Sequence, residues 1–401
     1  MKRNRIFNIE YSAMQGLFWK LLCSVVSYAA LFLQRRGYSG TETGIIMAVG
    51  NIMSFVLQPT VAAVADRSRR ISLIGIISAI SAVMICCMAA TLLVPGRGAA
   101  VCVSYALCFC CVYLMLPFAN AFAGWLNTWR LNINFGVARG IGSLCYAILS
   151  LGLGRLIEKA SPNVLPLTGV MLCILMLFLM ALFARQYSRA PVAFVSGDRQ
   201  KSRGLIAFLK NDRRFALLLV GIALTYFSHA AFTNFLINVV ENVGGDSGEM
   251  GVCSFIAAIV ELPVMFLFTR LLRRWRCSGL LKLSCVMFPV KMLACYLASD
   301  VYTLYGAQVI QMFAFGLYIP ASVQYVNEVI APADRVKGQA LITSTTTLSA
   351  IAASFVCGAL LDNLGVSAAL LISAAVSALG ALMVLPAVKK TALHRGKEVN
   401  V

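Results

Sequence analysis

The stretch Val164–Arg185, VLPLTGVMLCILMLFLMALFAR, carries no charged side chain before its last residue. A helix needs about 20 predominantly apolar residues to cross the hydrocarbon core of a bilayer. The segment that follows, 186–214, changes character and is rich in serine, glycine and charged residues. The two segments together predict a membrane-spanning helix followed by a polar linker.

The composition of the whole chain agrees with this interpretation. Of its 401 residues, 60% are hydrophobic and 12% are charged, against about 45–50% and about 25% in soluble domains. A soluble fold of this length cannot bury so much apolar surface. The composition therefore argues against a cytosolic enzyme, a secreted disulfide scaffold or a disordered protein. The 14 cysteines fall almost entirely within apolar segments and show no zinc-binding spacing, so we interpret them as small packing residues.

Windows of about 20 residues pick out six apolar segments before the linker and six after it. They lie near 10–34, 43–65, 71–94, 99–123, 131–154, 164–185, 215–240, 249–271, 279–298, 302–330, 337–360 and 365–388. We therefore predict an all-α membrane protein of 12 transmembrane helices in two six-helix bundles, 1–185 and 215–401, joined by the linker 186–214.

The orientation follows from the basic residues, which concentrate in cytoplasmic loops. Of the 34 Lys and Arg residues, 26 fall on the side that holds both termini and the linker, and 5 fall on the opposite side. We expect cytoplasmic termini and a multi-pass protein of a bacterial-type inner membrane. The net charge of +19 is then explained by an anionic lipid surface, and no nucleic-acid partner is expected.

Four charged residues lie deep within predicted spans: Lys20, Arg139, Glu261 and Lys291. A charge at the bilayer centre costs about 2.5–3.5 kcal/mol on insertion scales, so such residues are retained for pairing or for function. Three are basic and one is acidic. Unless Glu10 and Glu328, which lie nearer the ends of spans, offset it, this local excess of positive charge favours a substrate with a negative group, such as a sugar acid.

The fifth span carries Asn132, Arg139, Ser143, Tyr146 and Ser150 at steps that keep them on one helical face. An arginine donates several hydrogen bonds and a tyrosine ring can stack on a sugar or a base. We interpret this face as a binding site for a hydroxylated ligand. The alternative is an arginine that pairs with a carboxylate to hold two helices together.

The second half contains further polar candidates. Glu261 could contact substrate, carry a proton, or only neutralise a basic partner such as Lys291. Gln308 and Gln311 belong to a polar and aromatic stripe on the tenth span, which we expect to line a cavity. Tyr226 lies on a similar face of the seventh span.

The chain contains no HExxH, Walker A or GxSxG motif, which argues against an enzyme and against ATP-driven transport. Any transport is then secondary. We expect no metal and no cofactor, with a proton gradient as the source of energy.

The loop Ala65-Asp66-Arg67-Ser68-Arg69-Arg70 resembles the GxxxDRxGRR loop of the major facilitator superfamily, with Asp66, Arg67 and Arg70 at its charged positions. Twelve spans in two halves with a cytoplasmic central linker are also typical of that superfamily. The resemblance implies the major facilitator fold, a conformational role for this loop, and usually a monomer.

Several patches resemble the lactose permease group of sugar–proton symporters and the related nucleoside permeases. Phe135-Gly136-Val137-Ala138-Arg139 with Tyr146 resembles the helix that carries that group's essential arginine and sugar-stacking aromatic residue. Glu261 matches its essential glutamate and Lys291 falls on an arginine. The sequence departs from this group at four charged positions, where it has uncharged residues. Asn120 replaces a glutamate, and Gln308, Gln311 and Ala314 replace the lysine, histidine and glutamate of the tenth helix. The familiar proton relay is therefore absent as such, and Glu261 is the best remaining proton carrier.

The sequence thus predicts an alternating-access transporter that imports a sugar, sugar acid or nucleoside-like solute with a proton. Its predicted substrate contacts are Lys20, Asn120, Arg139, Tyr146, Tyr226, Lys291, Gln308 and Gln311. Two alternatives stay open: an exporter of drugs or metabolites from the same superfamily, and a transporter-like sensor or accessory membrane subunit.

Overall fold

The computed structural model describes residues 2–67, 72–94, 96–127, 131, 133–187, 212–331 and 334–393, and every regular element in these ranges is helical. The elements are α1 (Lys2–Leu22), a π-helical turn (Cys23–Ser27), α2 (Ala29–Arg35), α3 (Gly40–Arg67), α4 (Leu73–Leu93), α5 (Ala99–Asn127), α6 (Phe135–Lys159), α7 (Val164–Tyr187), α8 (Arg213–Asn234), α9 (Leu236–Asn242), α10 (Ser247–Arg274), α11 (Cys277–Tyr296), α12 (Val301–Val309), a 3₁₀ turn (Ile310–Met312), α13 (Phe315–Val329) and α14 (Arg335–Ala387). The predicted all-α class is confirmed.

Ten helical segments within the described ranges are long and apolar enough to cross a membrane. The count becomes eleven if α1 and α2, which are bent by 42° around the π-helical turn, form one broken span. The segment predicted near 302–330 is also interrupted, by the 3₁₀ turn between α12 and α13. These interruptions are local departures from the continuous helices that the apolar windows predict.

The helix α14 is 53 residues long but does not run straight. Its backbone leaves the helical conformation at Gly365, where φ is 79° and ψ is 178°. The Cys357 Sγ lies 3.8 Å from the Ser373 Oγ, although 16 residues of straight helix span about 24 Å. The chain therefore turns back at Gly365, a conformation that glycine alone adopts readily, and α14 consists of two antiparallel arms.

Two helices that carry site residues begin at side-chain caps. The Asn134 Oδ1 accepts a hydrogen bond from the Val137 amide at 3.1 Å, at the start of α6. The Asp212 Oδ1 accepts one from the Phe215 amide at 3.1 Å, at the start of α8. Each cap satisfies an amide that the first helical turn leaves without a partner, and so fixes where the helix begins.

The chain forms two compact units. The first comprises Met1–Gly197 together with Asp246–Phe255. Its core contains the fully buried rings of Phe122 and Phe183, with centroids 5.0 Å apart. The beginning of α10 belongs to this unit and packs on α6, because the Ser150 Oγ donates to the Gly251 carbonyl at 3.1 Å.

The second unit comprises Asp198–Gly245 together with Ile256–Val401. Its core contains the buried side chains of Phe268, Phe288 and Tyr325. Here α8 approaches the second arm of α14 through glycine, since a Cβ atom at Gly380 would lie 2.5 Å from the Thr225 amide nitrogen. Glycine and other small residues are common where membrane helices cross, because they allow the two backbones to approach closely.

Candidate functional site

In the first unit, Arg139 on α6 packs against α1. The Arg139 Cζ lies 3.6 Å from the centroid of the Trp19 ring, and the Arg139 Nη1 donates to the Ser143 Oγ at 2.6 Å. The aromatic face attracts the guanidinium while the serine fixes its direction. The α6 face predicted from residue spacing therefore exists, and Trp19 is part of the same site. We call Trp19, Ser27, Arg139, Ser143 and Tyr146 the arginine cluster.

Gly142 explains how Trp19 reaches this position. A Cβ atom at residue 142 would overlap with the Trp19 Cδ1. Any side chain there would occupy the space of the indole ring, so the bare backbone of α6 allows the ring to lie beneath Arg139. The sequence includes Gly142 in the patch that resembles the fifth helix of the lactose permease group, but the residue pattern does not indicate its packing against Trp19.

Tyr146 joins the arginine cluster through the π-helical turn. Its hydroxyl lies 2.8 Å from the Ser27 Oγ, which belongs to the last residue of that turn. π-Helical turns inside helices occur frequently at functional sites. The side chain of Tyr146 is half-buried, so its ring keeps some accessible surface.

Lys20 lies on the side of α1 that faces α6. Gly16, one turn before it, has the side chain of Cys145 3.0 Å from its Cβ position, and Ser27, two turns after it, contacts Tyr146. Positions 16, 20 and 27 share one helical face. Lys20 is half-buried and forms no hydrogen bond or ion pair within the part of the chain that the structure describes.

Asn120 is hydrogen-bonded to α1. Among the described residues, no hydrogen bond joins it directly to the arginine cluster. Its Oδ1 accepts from the Gln15 Nε2 at 3.4 Å, and Gln15 also donates to the Tyr11 hydroxyl at 2.8 Å. Sequence analysis missed Gln15. Its signal is a polar side chain within the apolar part of α1, one turn before Trp19.

In the second unit, three predicted residues meet. The Gln311 Nε2 donates to the Glu261 Oε1 at 2.9 Å, and the Gln311 Oε1 accepts from the Lys291 Nζ at 2.6 Å. One amide thus joins a carboxylate on α10 to an ammonium on α11. We call these three residues the amide-bridged cluster. The sequence anticipated a partnership of Glu261 and Lys291 but not the amide between them.

The interruption of the tenth predicted span positions Gln311. The residue lies in the 3₁₀ turn between α12 and α13, three residues before a non-helical Ala314 with φ −80° and ψ −94°. Gly316 then allows α13 to approach α10, because a Cβ atom there would lie 3.2 Å from the Glu261 Cα. Broken helices of this kind form binding sites in transporters.

Aromatic rings lie near the amide-bridged cluster. The Lys291 Nζ lies 4.4 Å from the centroid of the Phe232 ring. His229 stacks on Phe315 with centroids 4.2 Å apart, and the Tyr226 ring centroid is 5.2 Å from that of His229. Tyr226 thus belongs to an aromatic group on this side of the second unit.

The remaining predicted residues are placed as follows. Gln308 is 1% exposed, and its Nε2 has no hydrogen-bond partner among the described residues. Of the predicted conformational loop, Arg70 lies outside the described residues. For Asp66 and Arg67 the structure describes the backbone alone, at the end of α3. Asn132 also lies outside the described residues.

The comparison with protein families decides the class of the chain. The profile of the MFS_1 like family matches residues 9–371. The chain belongs to the MFS_1 like family. Its membership confirms the resemblance to the major facilitator superfamily that the loop and the span pattern indicate.

Relatives of this MFS_1 like protein are transporters. The uncharacterized transporter YwbF of Bacillus subtilis (strain 168) is 20% identical over 327 residues, which cover 80% of this chain and 78% of YwbF. Two crystal structures of the nucleoside transporter NupG are similar in fold, each 14% identical over 95% of this chain. One of them, of a point mutant, has a TM-score of 0.81 and is covered over 100% of its length; the other has a TM-score of 0.80 and is covered over 99%.

These findings establish a multi-pass membrane protein with a transporter fold of the major facilitator type. The class is that of transporters and not of enzymes. A bacterial inner membrane fits this class.

Proposed function

We propose that this protein imports a small hydroxylated organic solute, either a sugar, a sugar acid or a nucleoside-like molecule, together with a proton by alternating access. The observation that carries the proposal is the arginine cluster. A guanidinium held over an indole, beside a tyrosine whose ring is half accessible, offers hydrogen-bond donors and an aromatic face to a ring that bears hydroxyl groups. The fold that the chain shares with NupG, which is named a nucleoside transporter, agrees with this substrate class.

We assign solute binding in the first unit to Arg139 and Tyr146, with Lys20 and Asn120 as further contacts. In the second unit the proposed solute contacts are Lys291, Gln311, Gln308 and Tyr226. Transport needs no cofactor in this scheme, since the proton gradient supplies the energy.

Glu261 is the proposed proton carrier. It is a half-buried carboxylate within an apolar helix, and its Oε1 accepts a hydrogen bond from Gln311. A carboxylate in this position can hold a proton on one side of the membrane and release it on the other when its surroundings change. Ionisable residues inside membrane spans commonly serve proton relays.

The topology belongs to the proposal as well. Counting the bent pair α1 and α2 as one span and the two arms of α14 as two gives 12 spans, with both termini and the linker 186–214 in the cytoplasm. The loop with Asp66, Arg67 and Arg70 would then lie on the cytoplasmic side, where we assign it the conformational role that the superfamily resemblance implies. We propose that the protein works as a monomer of two bundles, 1–185 and 215–401.

The test is a thermal-shift screen of purified protein against neutral oligosaccharides, sugar acids, nucleosides and cationic drugs, followed by counterflow of each hit in liposomes. A ligand at about 100 times its Kd stabilises by about 2.7 kcal/mol. We expect a hydroxylated solute to stabilise the wild type and Arg155→Ala, and not Arg139→Ala. Arg155 is the matched control because it is an exposed arginine on the same helix.

Two other results would replace the proposal. Stabilisation by cationic drugs alone, unchanged in Arg139→Ala, would indicate an exporter. Binding of a solute without counterflow would indicate a sensor or an accessory subunit, since such a protein binds without turnover.

A further inference from the structure

The amide-bridged cluster holds two opposite charges at the two ends of one neutral side chain. The Lys291 Nζ donates to the Gln311 Oε1 at 2.6 Å, and the Gln311 Nε2 donates to the Glu261 Oε1 at 2.9 Å. An ammonium has no acceptor and an ionised carboxylate has no donor. The orientation of the amide is therefore dictated by the two charges, because rotating it by half a turn would place its NH₂ group against the ammonium.

Burial makes this arrangement sensitive to charge. Lys291 is 2% exposed and Gln311 is 3% exposed. Electrostatic interactions are stronger in such surroundings than in water, and a hydrogen bond to an ionised partner is roughly twice as strong as one between neutral groups. A change of charge at one end of the amide therefore changes the strength of the hydrogen bond at the other end.

We propose that Gln311 is a positioning residue that couples the protonation state of Glu261 to the ammonium of Lys291. This rests on the proposed proton role of Glu261. A proton taken up from water by the Glu261 carboxylate cancels its charge and turns one oxygen into an O–H donor. The protonated carboxyl keeps an acceptor oxygen, so the amide of Gln311 keeps its orientation toward Lys291, but its bond to Glu261 is no longer charge-assisted and the negative charge at that end of the amide is cancelled.

The ammonium of Lys291 is the output of this step. Its Nζ keeps its contact with the Phe232 ring and its bond to Gln311, while the negative charge of Glu261 no longer offsets its attraction for an oxygen of a solute. Proton uptake at Glu261 would thereby strengthen the binding of substrate by a cation of the same unit.

Other titratable groups of the second unit lie nearby. His229 stacks on Phe315, one residue before the Gly316 that contacts Glu261. Tyr226 and Tyr318 belong to the same aromatic group, with ring centroids 6.2 Å apart. Glu261 and Lys291 are joined to Gln311 directly by hydrogen bonds.

The experiment measures the titration of Glu261 without any substrate. Infrared difference spectra of the purified full-length protein in lipid are recorded from about pH 4 to about pH 9, across the range in which shifted carboxyls titrate. The Glu261 band is the one missing from E261Q. The midpoint pH of that band is then compared among wild type, Q311L, Q311M, Q308L, K291M and Q311L/K291M.

Gln308 provides the matched control. It lies three residues before Gln311, is equally buried and is also a glutamine, but its Nε2 has no partner among the described residues. We expect Q311L and Q311M to raise the Glu261 midpoint by about one pH unit, because the bond to the ionised form is lost. Q308L should leave the midpoint unchanged.

The double variant tests the coupling itself. K291M should raise the midpoint in the wild-type background and raise it by less than half as much in the Q311L background, since the amide that connects the two charges is gone. Equal shifts in both backgrounds, or equal shifts from Q308L and Q311L, would overturn the proposal. Because no solute is used, these outcomes are separate from the failure of proton-driven import, which only the liposome assay reports.

Discussion

The Arg139 Cζ lies 3.6 Å from the centroid of the Trp19 ring, and the α6 backbone at Gly142 is what leaves room for that ring. The contact places a charged group of one helix over the aromatic face of another. It makes the position of the guanidinium depend on α1 as much as on α6. The first predictions concern the residues that maintain this relationship.

A side chain at position 142 should displace the indole. We expect Gly142→Ala to lower the free energy of unfolding by about 1–3 kcal/mol, the usual cost of overpacking, because the new Cβ would meet the Trp19 ring. Gly152→Ala is the control, since a Cβ there has no neighbour within 4 Å. Thermal unfolding in lipid compares the two; equal stability would contradict the packing assigned to Gly142.

The indole should also support ligand binding by Arg139. Replacing Trp19 with Leu removes the aromatic face, and a cation–π contact contributes about 0.5–2 kcal/mol. Binding of the solute found in the screen should weaken between about twofold and thirtyfold in Trp19→Leu and less in Trp19→Phe, as measured by calorimetry. Unchanged affinity in Trp19→Leu would show that the ring only fills space.

Lys20 should determine whether charged solutes are preferred. It is a half-buried cation with no hydrogen-bond or ion-pair partner in the described ranges, on the side of α1 that faces the arginine cluster. We expect glucuronate to bind more tightly than glucose, and Lys20→Gln to reduce that preference about fivefold, which corresponds to about 1 kcal/mol. Lys159→Gln, an exposed lysine at the end of α6, should not change it. Equal binding of the acidic and neutral sugars by the wild type would remove the basis for an anionic substrate.

The crossing of α8 and the second arm of α14 gives a prediction about stability alone. A Cβ atom at Gly380 would lie 2.5 Å from the Thr225 amide nitrogen and 2.7 Å from the Gly221 carbonyl oxygen, and neither is a flexible side-chain end. Gly380→Ala should therefore destabilise the protein by about 1–3 kcal/mol. Gly306→Ala, where a Cβ meets nothing within 4 Å, should be neutral in the same unfolding assay.

The sequence was sufficient to predict the helical class, the family resemblance and the face of α6. Apolar windows report membrane helices because hydropathy is a property of composition. Arg139 and Ser143 are four residues apart, so helical geometry alone brings them together, and they are joined by a hydrogen bond of 2.6 Å.

The breaks in the helices were not predictable in the same way. The π-helical turn reads CSVVS and the 3₁₀ turn reads IQM, and neither contains the proline or glycine that usually marks an interruption. Such turns are set by packing against other helices. For the same reason the bridging role of Gln311, which requires α10, α11 and the 3₁₀ turn to meet, could not be read from spacing along the chain.

The pairing of Glu261 and Lys291 through one amide also has an electrical consequence. When both residues are ionised, the amide-bridged cluster has no net charge, so shifting it within the membrane requires no work against the membrane potential. A proton on Glu261 adds one positive charge, which is worth about 2.3 kcal/mol for every 100 mV that it crosses. With a neutral solute bound, the membrane potential would then drive the step that carries the protonated cluster and would not affect the return of the empty one. With an anionic solute bound, the negative charge of the solute would cancel the added proton and neither step would depend on voltage.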